Sequence, residues 1–177
     1  GDSLDRFASA LYAQTGCFES LALARSRPIP AARVHEDTAA GLSRTESAVA
    51  DRCTRLALLA ATRAFDNAQI AAGDGAPQCG VFVGCGTGPA ESVNEAYASM
   101  HSRGRLPALA LLRCLPSAAA GALAVRFGLR GPAQTFSSAC ASSAIAIGEA
   151  MRTIRHGYLD VALAGGTEAP FGDGTVM

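Results

Sequence analysis

Cys140 sits in a run of small residues, Ser137-Ser138-Ala139-Cys140-Ala141-Ser142-Ser143, directly ahead of a stretch with helical periodicity. A cysteine at a helix N-terminus lies beside N–H groups that lack intrahelical partners and at the positive end of the helix dipole. Both favour the thiolate, which is the attacking form in nucleophilic catalysis. Small neighbours leave room for a thioester carbonyl to approach, and the backbone N–H of Cys140 is placed to help bind the oxyanion that attack creates. The same residues also suit a small buried cysteine filling a strand-to-helix turn, and local physics leaves both readings open.

Other residues invite chemistry less strongly. Gly84-Cys85-Gly86-Thr87-Gly88-Pro89 follows an apolar run, and a Gly-rich turn after a strand can hold a phosphate on backbone N–H groups. Its glycines fall as G-x-G-x-G rather than G-x-G-x-x-G, and no Lys-Ser/Thr pair follows, so a tight turn is the expected role. His156 lies near a helix C-terminus, where a cation is favoured, and His35 and His101 fall in polar stretches, so none is assigned as a partner of Cys140. The remaining cysteines, Cys17, Cys53, Cys79, Cys85 and Cys114, show no C-x-x-C and no zinc-finger spacing. They read as free thiols of a cytoplasmic, reducing environment, and no metal site is expected.

The elements that must position Cys140 follow from periodicity. Asp2 and Ser3 can cap a helix carrying Leu4, Phe7, Ala8 and Leu11, with Gly16 as its stop. From there to Gly41 the chain is polar and broken by Pro28 and Pro30, which predicts a surface connection. Thr45 to Ala72 reads as one long helix capped by Thr45 and stopped by Gly73, and Cys79 to Val83 as a buried strand. Helices are predicted from Ala90 to His101 and from Pro116 to Phe127, then an extended segment from Ala133 to Ser137. A helix from Ala141 to His156 is stopped by Gly157, and a second buried strand runs from Asp160 to Ala164. Alternating strands and helices predict an α/β layer structure with mostly parallel pairing.

Composition bounds the function. The 177 residues, 49% hydrophobic and 17% charged, suffice for a buried core. Fifteen basic residues balance fifteen acidic ones, which argues against nucleic-acid binding. No apolar run reaches the roughly 18 residues of a membrane span, and the stretch Leu106 to Leu112 ends at Arg113.

Ser138-Ala139-Cys140-Ala141-Ser142-Ser143 resembles the T-A-C-A-S-S nucleophile motif of the β-ketoacyl-acyl-carrier-protein synthases, condensing enzymes of the thiolase superfamily. The resemblance extends upstream through Phe127-Gly128-Leu129-Arg130-Gly131-Pro132 and downstream through Ala146 to Ala150, Asp160-Val161 and Ala164-Gly165-Gly166-Thr167-Glu168-Ala169. It implies a thiolase-like layered fold, α-β-α-β-α in the full protein, of which residues 1–177 form the N-terminal half without its first strand. It implies Cys140 as the nucleophile of a decarboxylative Claisen condensation in fatty-acid or polyketide synthesis. Substrates would arrive on the phosphopantetheine of an acyl carrier protein, with no bound cofactor.

By the same resemblance, Leu115 and Phe136 lie near the acyl channel, and basic residues such as Arg52, Arg55 and Arg63 dock the acidic carrier protein. With Arg44, these arginines would share a sector of about 100° if one ideal helix ran through all four; a solvated face is the competing reading. Gly165, Gly166 and Glu168 are read as structural. The family's two catalytic histidines, a lysine and a Phe-containing gate loop belong to its second half. A homodimer or a heterodimer with a ketosynthase-like subunit is implied, with a non-catalytic chain-length-setting partner subunit and a thiolase as the alternatives.

Overall fold

The computed structural model describes residues 3–16, 18–22, 27–35, 38, 41–70 and 78–171. Ser3 caps the first helix, α1 (Leu4–Tyr12), by accepting the Arg6 N–H at 3.3 Å. The helix closes at Ala13, ahead of the stop expected at Gly16, and Asp2 lies outside the described residues. The predicted surface connection instead contains an antiparallel ribbon, β1 (Glu19–Leu21) against β2 (Ile29–Ala31). Pro30 is accommodated because each strand of a two-stranded ribbon has an outer edge that needs no N–H donor.

The single helix predicted from Thr45 to Ala72 is two helices, α2 (Arg44–Val49) and α3 (Arg52–Ala68). Ser43, not Thr45, caps α2: its hydroxyl accepts the Glu46 N–H, and the Glu46 carboxylate accepts the Ser43 N–H at 2.7 Å. That reciprocal pair satisfies two N–H groups that would otherwise be orphaned. Ala50 is extended, and Asp51 starts the chain afresh by accepting the Cys53 N–H at 3.1 Å. Gln69 ends α3 in the left-handed region at φ 54°, and the expected stop, Gly73, lies outside the described residues.

Next come β3 (Cys79–Gly84), buried along its whole length, and α4 (Ala90–Arg103), closed by Gly104. A short helix, α5 (Ala110–Cys114), lies where the sequence suggested only an apolar stretch. Then follow α6 (Ala118–Phe127), β4 (Ala133–Phe136), a 3-10 turn over Ala139–Ala141, α7 (Ser142–Arg155) and β5 (Val161–Gly166).

The three longer-range strands pair in parallel in the order β4-β3-β5. Side chains alternate across β3, so Val81 and Val83 face a core with Leu58, Phe65, Leu123 and Phe127 from α3 and α6. The Phe65 and Phe127 rings stack there with centroids 4.6 Å apart. Phe82 points to the opposite face, onto Ala146 and Ala150 of α7 and Leu159. Phe82 is 2% exposed, and burying a side chain of this size contributes on the order of 2–3 kcal/mol. The described residues therefore form an α-β-α sandwich of the α/β class around β3.

Candidate active site

Parallel strands end together, and the loops that leave their C-terminal ends form a groove of about 560 Å3. Its walls are the loop after β3 (Cys85 to Thr87), the turn before α7 (Ala139 and Cys140), Ser142 and Ser143, and Thr167 and Glu168 after β5.

Cys140 is exposed at this groove, which removes the alternative of a small buried cysteine. It lies in the 3-10 turn of Ala139–Ala141, ahead of the helix as the sequence pattern placed it, although α7 starts at Ser142 and not at the expected Ala141. Ala139 precedes it in the left-handed region at φ 47°, a conformation that costs a non-glycine residue about 1–3 kcal/mol. Ser142 offsets that strain. Its buried hydroxyl donates to Ala139 O at 2.7 Å and accepts the Ser138 N–H at 2.8 Å, closing the turn from inside.

Two glycines let α7 begin so close to the sheet. A Cβ on Gly84 would overlap the backbone of Ser142 and Ser143, and one on Gly166 would overlap the Ser143 side chain. The register pairs Gly84 of β3 with Gly166 of β5, so both close approaches occur at one level of the sheet.

The Gly84 to Pro89 loop is already occupied by a carboxylate. Glu168 accepts the Gly86 N–H at 2.7 Å, the Thr87 N–H at 3.2 Å and the Thr87 hydroxyl, and the Cys85 thiol points at it from 3.7 Å. These are the donors a phosphate would need, so the structure supports the tight-turn role over an anion site. Sequence reading assigned Glu168 a structural part but missed this clamp. The signal available was parallel pairing, since Gly84 opposite Gly166 places residue 168 beside residue 86.

The other cysteines differ in environment. Cys53, Cys79 and Cys85 are buried and Cys114 is half-buried, all free; Cys17 lies outside the described residues. A hydrogen bond with the Cys85 thiol, then burial and the nearby Asp51, push the Cys53 thiol far above the ordinary range. Burial raises Cys79 and Cys114 as well.

The remaining predicted residues do not converge on the groove. Phe136 ends β4 and stacks on Phe82 at 6.3 Å, while Leu115 follows α5, one residue before Pro116, against which Gly88 lies. Neither lines the groove. Arg52 donates to Val34 O at 2.5 Å, and Arg55 donates to Ala50 O and Ser47 O at 3.1 Å, where it caps the end of α2. Arg63 lies further along α3, and Arg44 belongs to α2, so the four arginines do not share one helix face. None of His35, His101 and His156 lines the groove, and His35 pairs instead with Glu19 at 3.2 Å. Among the described residues no group of three metal-ligating side chains gathers, and no helix is long and apolar enough to cross a membrane.

Comparison with known proteins gives a consistent result. The family model for the N-terminal domain of beta-ketoacyl synthases matches residues 7–177. Nodulation protein E of Rhizobium sp. (strain N33) is 38% identical over 133 residues, covering 73% of this chain and 33% of that protein. The 3-oxoacyl-[acyl-carrier-protein] synthase 2 of Staphylococcus aureus (strain N315) is 32% identical over 132 residues, covering 73% of this chain and 32% of the other. The chain thus spans about a third of the length of these curated relatives. Among solved structures, the ketosynthase ApeO in complex with its chain length factor ApeC from Xenorhabdus doucetiae superposes with a TM-score of 0.79 at 24% identity. That match covers 96% of this chain and 44% of the solved one.

Proposed function

The chain belongs to the β-ketoacyl synthase family, and from that premise we propose that Cys140 is the acyl-accepting nucleophile of a decarboxylative condensing enzyme. The carrying observation is its exposed sulfur, in a strained turn at the head of α7, opening on a groove at the C-terminal edge of the parallel sheet. The Cys140 thiolate attacks the carbonyl of an acyl thioester carried on phosphopantetheine. A C–S bond forms to Cys140, the tetrahedral oxyanion collapses, and the carrier thiolate leaves. A malonyl thioester then loses carbon dioxide, and its carbanion attacks the acyl-Cys140 thioester to give a β-ketoacyl product and free thiolate.

No histidine lines the groove, so the groups that assist decarboxylation and hold the enolate come from the part of the protein that corresponds to the remaining length of its relatives. Residues 1–177 are accordingly the N-terminal ketosynthase half, and the partners are an acyl carrier protein and a second ketosynthase-like subunit. Arg52, Arg55 and Arg63 stand as the carrier-docking candidates and Leu115 and Phe136 as acyl-channel candidates. Among these, Arg63 has the exposed position a docking cation needs. The presence of Cys140 favours a working synthase over a non-catalytic chain-length partner.

Intact-mass analysis of the whole protein after incubation with acyl carrier protein tests the reading. The expected result is a single acyl adduct mapping to Cys140 and absent from Cys140→Ala. An unmodified wild type, indistinguishable from the variant, rejects it.

A further inference from the structure

Glu168 supplies no chemistry in that reading and is exposed, yet it turns its carboxylate inward onto the groove wall. All of its partners there are donors: the N–H groups of Gly86 and Thr87, the Thr87 hydroxyl and the Cys85 thiol. A carboxylate offers acceptors alone, whereas an amide would turn its NH2 toward some of these donors.

The clamped loop bears on the nucleophile's turn. A Cβ built on Gly86 would meet Ala139 O at 3.6 Å and Ala139 Cα at 3.8 Å, so no more than a methyl-sized gap separates the loop from the residue before Cys140. Ser137 donates its hydroxyl to Gly86 O at 3.3 Å and so ties the loop directly to the segment that leads into the Ala139 turn. Ala139 is held at φ 47°, and such a conformation persists only where the surroundings over-determine it. We propose that Glu168 is a positioning residue for Cys140: its carboxylate pins the Gly86–Thr87 loop, and the pinned loop buttresses the Ala139 turn that aims the sulfur. The inference rests on the reading of Cys140 as the acyl acceptor and adds to it the residue that sets the sulfur's orientation.

The test uses the whole protein and two rates at Cys140: acylation by an octanoyl acyl carrier protein, and alkylation by iodoacetamide. Acylation needs an aimed sulfur and an oriented carbonyl, while alkylation needs only an accessible thiolate. Glu168→Gln and Glu168→Ala should slow acylation by about tenfold or more, with alkylation within about twofold of wild type. Thr87→Val should slow acylation several-fold, and Thr87→Ser should recover most of that loss. Formate should restore Glu168→Ala, by entering the vacated nest of donors, and should leave Glu168→Gln unrestored because its side chain fills that space. Variants acylated at the wild-type rate overturn the proposal while leaving the acyl-acceptor reading intact. Equal loss of both rates with a lowered unfolding temperature and no response to formate also overturns it, since that pattern marks general loosening. A wild type that takes no acyl group overturns the acyl-acceptor reading and this proposal with it.

Discussion

Gly84 and Gly148 are both glycines of regular elements, but an added methyl group meets different surroundings at each. At Gly84 it would run into the backbone of Ser142 and Ser143, which cannot swing aside without moving the start of α7. Gly84→Ala is expected to destabilise the protein by roughly 2–3 kcal/mol, read as a fall in the denaturant midpoint. At Gly148, inside α7, nothing lies within 4 Å, and the helix gains a better former. Gly148→Ala should therefore raise stability by about 0.5–1 kcal/mol in the same assay. Cysteine reactivity separates at this scale too. Among the five described cysteines, iodoacetamide near neutral pH should label Cys140 first in a peptide map, because Cys53, Cys79 and Cys85 are buried and Cys114 half-buried. The place of Cys140 in a turn ahead of a helix was legible in the sequence because small residues followed by helical periodicity form a local pattern. The Glu168 clamp was not, because residues 86 and 168 meet only through the β3–β5 register, which no local pattern encodes.

At the scale of elements, caps decide where helices begin and which neighbours they touch. Asp51 caps α3 through one carboxylate oxygen and holds the Ser92 N–H of α4 at 2.8 Å through the other, at 2% exposure. Asp51→Ala orphans two N–H groups at that junction, and a loss of about 2–4 kcal/mol is expected in chemical denaturation. Asp51→Asn, which keeps one acceptor, should lose less. Glu46 makes the corresponding joint between α2 and α6, since the Arg126 guanidinium donates to both its oxygens at 3.1 Å. The hydrogen bonds from Ser43, and then Arg126, hold the Glu46 carboxyl below the usual carboxylate range. A folded-state value below the unfolded one means that this stability is present above the unfolded value and is lost as pH falls through the folded one. Melting temperature should accordingly drop more steeply for wild type than for Glu46→Gln as pH falls from about 5 to about 3; parallel curves would count against the joint. The sequence held both caps, but a continuous Ala/Leu pattern from Thr45 to Ala72 hid the break at Ala50. Periodicity records which face is apolar and is silent about a two-residue break between consecutive helices.

The alternation of apolar strand, Gly-rich turn and amphipathic helix made the α-β-α sandwich legible from sequence, because each element's period reflects the layer it packs on. What periodicity could not show is which apolar faces this chain covers for itself. Leu4, Phe7 and Leu11 of α1 follow helical spacing, yet they are 84%, 53% and 62% exposed and α1 buries no residue. Tyr97 on α4 and Leu111 on α5 are each 75% exposed, and Ile147 and Met151 leave the outer side of α7 apolar. Monomeric soluble proteins rarely show contiguous apolar patches beyond a few hundred Å2, so faces like these are where association with other protein is expected to be tested first. The 177-residue chain produced by itself should therefore self-associate at micromolar concentration and bind a hydrophobic dye, as read by sedimentation velocity and fluorescence. Replacing Phe7 and Leu11 with lysine should lower dye binding while leaving the unfolding free energy within about 0.5 kcal/mol, the usual range for exposed positions. A monodisperse monomer without dye binding would show that the chain closes its own surface, and would contradict the exposed faces of α1, α4, α5 and α7 together.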